Sequence, residues 1–358
     1  MSMKGNTMNQ DGGLERRRWA RGFALAGALT GGWVPGLLFA ASPSGGDPRS
    51  PVELFSVKRI WDKGAHNAFT DLIRFGGKFL CTFREAEGHV KGDGRLRVIE
   101  SADGETWRSA ALLAEEGIDL RDPKISIMPD GRLMIVAGGS VYREGKFIGR
   151  QPRVAFSKDG HAWTPTKRVL SEGEWLWRVT WHKGKAYGVS YNGPAYKRKA
   201  IKWCQTLFVS ADGLKYEKIC TLKVDGYAGE TTLRFLPDDT MIALVRRESG
   251  NKCGWIGQSK PPYTEWTWHE TKHHVGGPNF IILPDGSMWA GARSYPGGAR
   301  TVLARFGPTT YEPVLTLPSG GDTSYPGFVW HDGLLWMSYY ASHERKTSVY
   351  LAKIRLRR

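Results

Sequence analysis

Residues 127–138 read IMPDGRLMIVAG, two apolar runs hinged on a Pro-Asp-Gly turn. Asp hydrogen-bonds its own backbone and Gly takes a positive φ at no steric cost, so the pair reverses the chain tightly. The flanking runs have the composition of β-strands. The same device recurs as IRFGGKFLCTF (73–83), TWHKGKAYGVSY (180–191), RFLPDDTMIALV (234–245), ILPDGSMWAGA (282–292) and VWHDGLLWMSYY (329–340). Aligning the last turn residue gives Gly77, Gly131, Gly184, Asp239, Gly286 and Gly333, at intervals of 54, 53, 55, 47 and 47 residues. Six units of that length each have room for four short antiparallel strands, the repeat of a propeller blade. No stretch after residue 50 keeps a helical period. The expected fold is therefore an all-β, six-bladed β-propeller over 51–358. Its sixth unit is short, because only 25 residues follow Gly333 and they hold one more strand, TSVYLAKIRL. PVELFSVKRIW (51–61) supplies the missing one, so the ring closes by pairing the N- and C-terminal strands.

A hydrophobic content of 41%, with fifteen tryptophans among 358 residues, provides a substantial core and excludes bulk disorder. Glu15-Arg16-Arg17-Arg18-Trp19-Ala20-Arg21 and the Gly/Ala-rich run after it read as a twin-arginine-type export signal over 1–41. Pro35 and several glycines make that run a poor membrane span. SPSGGDPRS (42–50) reads as a linker, and the localisation expected is periplasmic or extracellular. The formal charge is +16, of which residues 1–41 carry five Lys/Arg and two Asp/Glu. The rest stays strongly basic and favours anionic partners. With no nucleic-acid motif and no basic tail, acidic glycans are the partners expected. Cys81, Cys204, Cys220 and Cys253 have no metal-ligand spacing, and Cys204 with Cys220 flanks a predicted hairpin as a candidate disulfide. Nothing in the chain calls for a metal, nucleotide or redox cofactor.

A second device has its own period. SADGETW starts at Ser101, SKDGHAW at Ser157 and SADGLKY at Ser210, and weaker versions start at Ser259 (SKPPYTEW) and Arg305 (RFGPTTY). Ser and Asp side chains accept turn N–H groups, Gly takes positive φ, and the aromatic packs into the blade. This pattern resembles the Asp box of sialidases. The resemblance implies a structural role for Ser101, Asp103, Trp107, Ser157, Asp159, Trp163, Ser210 and Asp212, on the side away from an active site.

Chemistry is expected where equivalent repeat positions converge on one rim. About eight residues before each turn stand Phe69-Thr70-Asp71, Asp122-Pro123, Trp177-Arg178, Glu230-Thr231, Pro278-Asn279 and Ser324-Tyr325. Seven residues after each turn stand Arg84, Gly138, Tyr191, Arg246, Arg293 and Tyr340. Arginines, acids, an asparagine and tyrosines at one phase predict a shared pocket, with Asp122, Arg178 and Asn279 as further substrate contacts. Trp175, Trp177 and Trp181 are dense enough to offer a sugar-stacking surface, although packing is the ordinary use of tryptophan in a propeller.

GETTLRFLPDDTMIALVRR resembles the exo-sialidase element with a glutamate sixteen residues before an arginine, here Glu230 and Arg246. SYPGFVWHDGLLWMSYY resembles the family's late tyrosine strand and offers Tyr325. Arg293 and Arg300 both suit a further family arginine, and Asp93 in EGHVKGDGRLRVIESADG suits its acid/base aspartate. The family's opening Arg-Ile-Pro is replaced by AFTDLIRF, which leaves Arg84 as the stand-in arginine. Tyr340 and Ala341 stand where a late acid is expected. The resemblance implies a glycoside hydrolase that cleaves a terminal acidic sugar with retention. Tyr325 is its nucleophile, Glu230 the base and Asp93 the acid/base, and arginines clamp the sugar carboxylate. Two rival readings stand beside it. One is a lyase acting on uronate-containing glycans with Tyr325, His66 or His89 as base, and the other is a glycan-binding propeller without turnover.

Overall fold

The computed structural model describes residues 51–357 apart from 91 and 193–202. The export and linker readings over 1–50 fall outside the described residues. A first strand, β1 (Val52–Trp61), precedes five complete blades. Blade one is β2 (His66–Phe75), β3 (Lys78–Ala86), β4 (Arg95–Ser101) and β5 (Arg108–Leu113). Blade two is β6 (Ile118–Ile127), β7 (Leu133–Arg143), β8 (Lys146–Ser157) and β9 (Lys167–Arg168). Blade three is β10 (Trp175–His182), β11 (Lys185–Asn192), β12 (Cys204–Ser210) and β13 (Tyr216–Thr221). Blade four is β14 (Ala228–Phe235), β15 (Met241–Arg247), β16 (Cys253–Ser259) and β17 (Thr267–His274). Blade five is β18 (Gly276–Ile282), β19 (Met288–Ser294), β20 (Arg300–Phe306) and β21 (Tyr311–Thr316). The sixth is β22 (Thr323–His331), β23 (Leu334–Glu344) and β24 (Lys346–Leu356), completed by β1 in antiparallel register from Val52 opposite Leu356 to Trp61 opposite Val349. The molecule is a six-bladed β-propeller closed by its terminal strands.

Every turn that set the repeat has a left-handed residue where the alignment requires it. φ is +78° at Gly77, +81° at Gly131, +78° at Gly184, +82° at Gly286 and +69° at Gly333, and Asp239 adopts +65° without being glycine. Apolar faces pack between neighbouring blades. Leu72, Phe79 and Phe83 of blade one meet Trp336, Val349 and Leu351 of blade six and Ile60 and Trp61 of β1.

The Ser-Asp-Gly turns lie at the opposite end of the blades from the starts of the inner strands. In the first, Ser101 Oγ donates to Asp103 Oδ1 at 2.9 Å and accepts Gly104 N–H at 2.8 Å. Asp103 Oδ1 also accepts Glu105 and Thr106 N–H at 2.8 and 2.9 Å, and Trp107 Nε1–H closes on Gly104 O at 3.1 Å. These donors hold the Asp103 carboxyl down at about 2. Ser157-Asp159-Gly160-Trp163 and Ser210-Asp212-Gly213 repeat the pattern. In the weakened fourth copy, Trp266 still donates its indole N–H to Tyr263 O at 3.1 Å.

All four cysteines are free thiols. The expected Cys204–Cys220 bridge does not form, because the β12–β13 register sets Cys220 opposite Leu207 rather than Cys204. Among the described residues no helix is long and apolar enough to cross a membrane.

Candidate functional site

One irregularity, repeated six times, builds the pocket. Each inner strand slips register against its neighbour at the same place: after Ala68, Arg121, Leu176, Ala228, Gly276 and Ser324. A β-bulge adds residues to one strand and re-aims side chains. The residues at the slips are Phe69-Thr70, Asp122-Pro123, Trp177-Arg178, Gly229-Glu230, Gly277-Pro278 and Tyr325-Pro326. The slips fall on the positions compared by repeat phase in blades one to three and one residue away from them in blades four to six. Phe69, Asp122, Gly277 and Tyr325 have φ of +66°, +51°, +59° and +53° there. Three of the four are not glycine, so the bulges hold side-chain-bearing residues in a strained backbone conformation.

Beneath the bulges a circle of polar contacts ties the inner strands together. Thr70 Oγ1 donates to Tyr325 O at 2.7 Å, and Lys124 Nζ donates to Thr70 O at 3.1 Å. Arg178 Nη1 donates to Asp71 Oδ2 at 2.7 Å. Thr180 donates to Leu233 O, Thr232 to Pro278 O and Asn279 Nδ2 to Pro326 O, at 2.7, 2.8 and 2.9 Å. Two expected substrate contacts, Arg178 and Asn279, are therefore engaged in holding blades to one another. Lys124 is buried between the Trp177 and Tyr325 rings, and burial lowers its pKa to about 8.

The pocket floor is aromatic: Phe69, Trp175, Trp177, Tyr325 and Tyr340 pack together, with Tyr191 against them. Trp175 and Trp177 are buried, so they take the packing role ordinary for propeller tryptophans and offer no stacking surface. On this floor Tyr325 Oη donates to Glu230 Oε1 at 2.6 Å. Glu230 Oε2 accepts Arg246 Nη1–H and Gly277 N–H, each at 2.8 Å, and Arg246 Nη1 also lies 3.2 Å from Tyr325 Oη. Burial pushes the Glu230 carboxyl up, but Arg246, the tyrosine hydroxyl and the amide outweigh it and keep its pKa below the ordinary value. Burial and that carboxylate push the Tyr325 phenol well above 10. The pair rests as a neutral phenol donating to a charged carboxylate, so the proton that the oxygen must lose already points at its acceptor.

Arg293 lies across the pocket, its guanidinium 5.4 Å from the centre of the Tyr325 ring. It donates to Thr323 O at 2.7 Å, reaches Tyr340 Oη at 2.8 Å, and is 3.2 Å from Asp322 Oδ1. Tyr340 Oη donates to that same Asp322 oxygen at 2.8 Å. Asp322 Oδ2 is met by His66 Nε2 at 3.1 Å and His89 Nδ1 at 2.6 Å. Burial raises the Asp322 carboxyl, yet the two imidazoles and Tyr340 carry it far below the usual range. The donor atoms of His66, His89 and Asp322 are close enough together to suit a metal. Arg293 at 3.2 Å opposes a second cation there. Asp122 Oδ1 is buried without a hydrogen-bond partner, and burial raises its pKa.

The geometry thus brings Tyr325, Glu230, Arg246, Arg293, Tyr340 and Asp122 around one pocket. It does not bring Arg84, Arg300 or Asp93 to the pocket floor. Arg84 is fully buried and paired with Asp119 at 2.8 Å. Arg300 donates to Ala299 O at the start of β20. Asp93 Oδ2 accepts Glu87 N–H within its own loop at 2.9 Å, with Oδ1 3.9 Å from Arg84. Asp322, Arg121 and Lys124 escaped sequence reasoning, since each lies off the phases compared there.

No family model matches the sequence, and no curated protein sequence is similar to it. Solved structures are similar at the level of fold. A protein of unknown function from Dyadobacter fermentans superposes with a TM-score of 0.76 at 18% identity, over 86% of this chain and 100% of its own. An α-L-arabinofuranosidase of Fusarium graminearum in complex with arabinobiose gives 0.65 at 15%, over 85% and 98%. Trypanosoma rangeli sialidase in complex with the inhibitor DANA gives 0.64 at 12%, over 81% of this chain and 55% of the sialidase. The chain has the sialidase-like propeller fold.

Proposed function

We propose that this protein is a retaining exo-glycosidase that acts on a terminal acidic sugar. The observation that carries the reading is the Tyr325–Glu230 contact of 2.6 Å at the centre of the ring. A sugar with a carboxylate at or beside its reactive carbon repels a carboxylate nucleophile, and a neutral phenol avoids that repulsion. Glu230 takes the phenolic proton as Tyr325 attacks, because free tyrosine stays protonated to about pH 10. Arg246 at the Tyr325 hydroxyl and Arg293 over its ring supply the positive field for the substrate anion. Glycosidases among the structures of similar fold support the same class of chemistry.

Phe69 favours a second reading for the sugar. It fills the blade-one bulge where an arginine was expected, and Arg84 is held by Asp119. Among the described residues Arg246 and Arg293 are the guanidinium groups that contact Tyr325, and Arg121 stands 5.3 Å over the Phe69 ring rather than on the phenol, which suits an acidic sugar other than sialic acid, or a neutral one. Release of free sugar from sialyllactose and from arabinobiose distinguishes the two. In either case Tyr325→Phe should lose more activity than Glu230→Gln, whose loss should be about 10²–10⁴-fold. A glycosyl fluoride of the sugar that is turned over, with a second fluorine on the carbon next to the anomeric one, should label Tyr325 covalently, as peptide mass spectrometry would read. Label on a different residue, or full activity of Tyr325→Phe, would falsify the assignment. An unsaturated product absorbing in the near ultraviolet would point to the lyase.

A further inference from the structure

A tyrosine nucleophile and its base account for one half of a retaining displacement. The departing oxygen also needs a proton, and the water that follows needs a base. Neither Tyr325 nor Glu230 is free for this, because each is committed to the other. We infer that His89, held by Asp322, is that acid/base group, in place of the Asp93 expected from the sequence.

Four observations carry the inference. First, His89 is fixed at three points. Its Nδ1 meets Asp322 Oδ2 at 2.6 Å, its carbonyl accepts Arg121 Nη1–H at 2.8 Å, and its ring stands edge-on to Phe69 at 5.3 Å. Second, this fixes the useful nitrogen: with Nδ1 engaged by the carboxylate, Nε2 has no hydrogen-bond partner among the described residues. Third, the depth is right. The His89 side chain is 49% exposed while Tyr325 is 7% exposed, and the Phe69 ring between them lies 5.0 Å from the Tyr325 ring. A sugar seated on Tyr325 would direct its leaving group outward, past His89. Fourth, Asp93 in the same loop accepts the Glu87 N–H at 2.9 Å and turns its other oxygen towards Arg84, which Asp119 holds in the interior.

In the first step the Tyr325 Oη–carbon bond forms as the glycosidic carbon–oxygen bond breaks. The phenolic proton passes to Glu230, and the His89 Nε2 proton passes to the departing oxygen. In the second step His89 Nε2 takes a proton from water, the water oxygen bonds to the sugar carbon, and the Tyr325–carbon bond breaks. Glu230 returns its proton to Tyr325. The net change is glycoside plus water to free sugar plus aglycone. Asp322 touches neither sugar nor leaving group and acts as a positioning residue.

The assignment rests on the retaining-glycosidase reading, and its test separates the two. The probes are 4-nitrophenyl and methyl glycosides of N-acetylneuraminic acid and of L-arabinofuranose, with the full chain and the variants His89→Ala, Asp322→Asn and Asp93→Asn. A 4-nitrophenolate leaves without a proton and a methoxide does not. His89→Ala should therefore lower kcat/KM by under about 10-fold for the aryl glycoside and by about 10²–10⁴-fold for the methyl glycoside. Asp322→Asn should show the same dependence on leaving group in weaker form. Azide, which needs no base, should restore turnover of the aryl glycoside by His89→Ala and yield a glycosyl azide of retained configuration. Equal losses for both glycosides, or this pattern in Asp93→Asn instead, overturn the assignment alone. If the wild-type protein turns over neither aryl sugar, the glycosidase reading for these two sugars falls and the assignment with it.

Discussion

Glu230 shares its carboxylate among Tyr325 Oη, Arg246 Nη1 and Gly277 N–H, and it is buried. Burial favours its neutral form, and the three donors, with the Arg246 charge foremost, outweigh burial and hold the pKa below 4.5. A carboxylate shifted down is charged, and its stabilising contacts are intact, above its unfolded pKa; both are lost as pH falls through the folded value. The acid limb of kcat/KM for the aryl glycoside should therefore lie below pH 4.5. Arg246→Met removes the strongest of the groups that oppose burial, leaving the Tyr325 hydroxyl and the Gly277 amide, and should move that limb upward by about one unit or more. A limb that stays in place in the variant would mean that Glu230 is not the base. Arg84 shows why residue type at the right phase is insufficient evidence of function. It shares a repeat position with Arg246 and Arg293, yet Asp119 on the neighbouring blade neutralises it in the interior. That pairing depends on which strands become neighbours in space, and the sequence does not display it.

The hairpins show how much of the fold can be read at the scale of an element. Positive φ at a turn is recorded directly as Gly or Asp, so six turns at a common period reveal six blades. The Ser-Asp-Gly turns have a second constraint that the sequence does not display. A Cβ on Gly104 would lie 2.2 Å from the Trp336 ring of blade six, on Gly160 3.1 Å from Leu80 of blade one, and on Gly213 2.9 Å from Met134 of blade two. Each turn presses on the second strand of the preceding blade, so the motif joins blades as well as reversing the chain. Gly104→Ala should destabilise by about 1–3 kcal/mol, because a rigid indole must shift and the backbone φ is unfavourable. Gly160→Ala should cost less, since the end of a leucine can turn away. Thermal unfolding measures both, and KM should stay unchanged because these turns lie at the far end from the pocket. Equal stability of Gly104→Ala and wild type would contradict the packing account. The bulges were legible only in part. Their positions appeared as a repeated pair before each turn, but the repeat could not separate Tyr325, aimed into the pocket, from Arg178 and Asn279, which bind other blades. Asp322 was invisible because it lies just ahead of β22, in a segment with no counterpart at that phase.

At the scale of the whole molecule, the ring is held shut by β1. It pairs with β24 from Val52 opposite Leu356 to Trp61 opposite Val349, while Ile60 and Trp61 pack into the cluster shared by blades six and one. The strand that completes the last blade is thus joined covalently, through a few residues, to the first strand of blade one. Separating those blades requires breaking a full strand pairing as well as their packing. The two ends of the propeller meet at the other end of this strand, where Arg357 N–H donates to Pro51 O at 2.9 Å. A short turn can therefore join them. A permuted chain that starts at Gly64 and carries residues 51–62 after β24 would keep every strand pair and every pocket residue. Its blades six and one, however, would be joined by noncovalent contacts alone, among them the packing, the His66–Thr347 bridge and the Thr70 hydrogen bond to Tyr325 O. It should fold and keep KM, and its unfolding free energy in urea should be lower by about 2–5 kcal/mol, the entropy of the lost constraint. Hydrogen exchange should locate the loss at β2 and β24 first. Equal stability of the two chains would mean that packing between blades closes the ring and that the shared sixth blade is incidental to it.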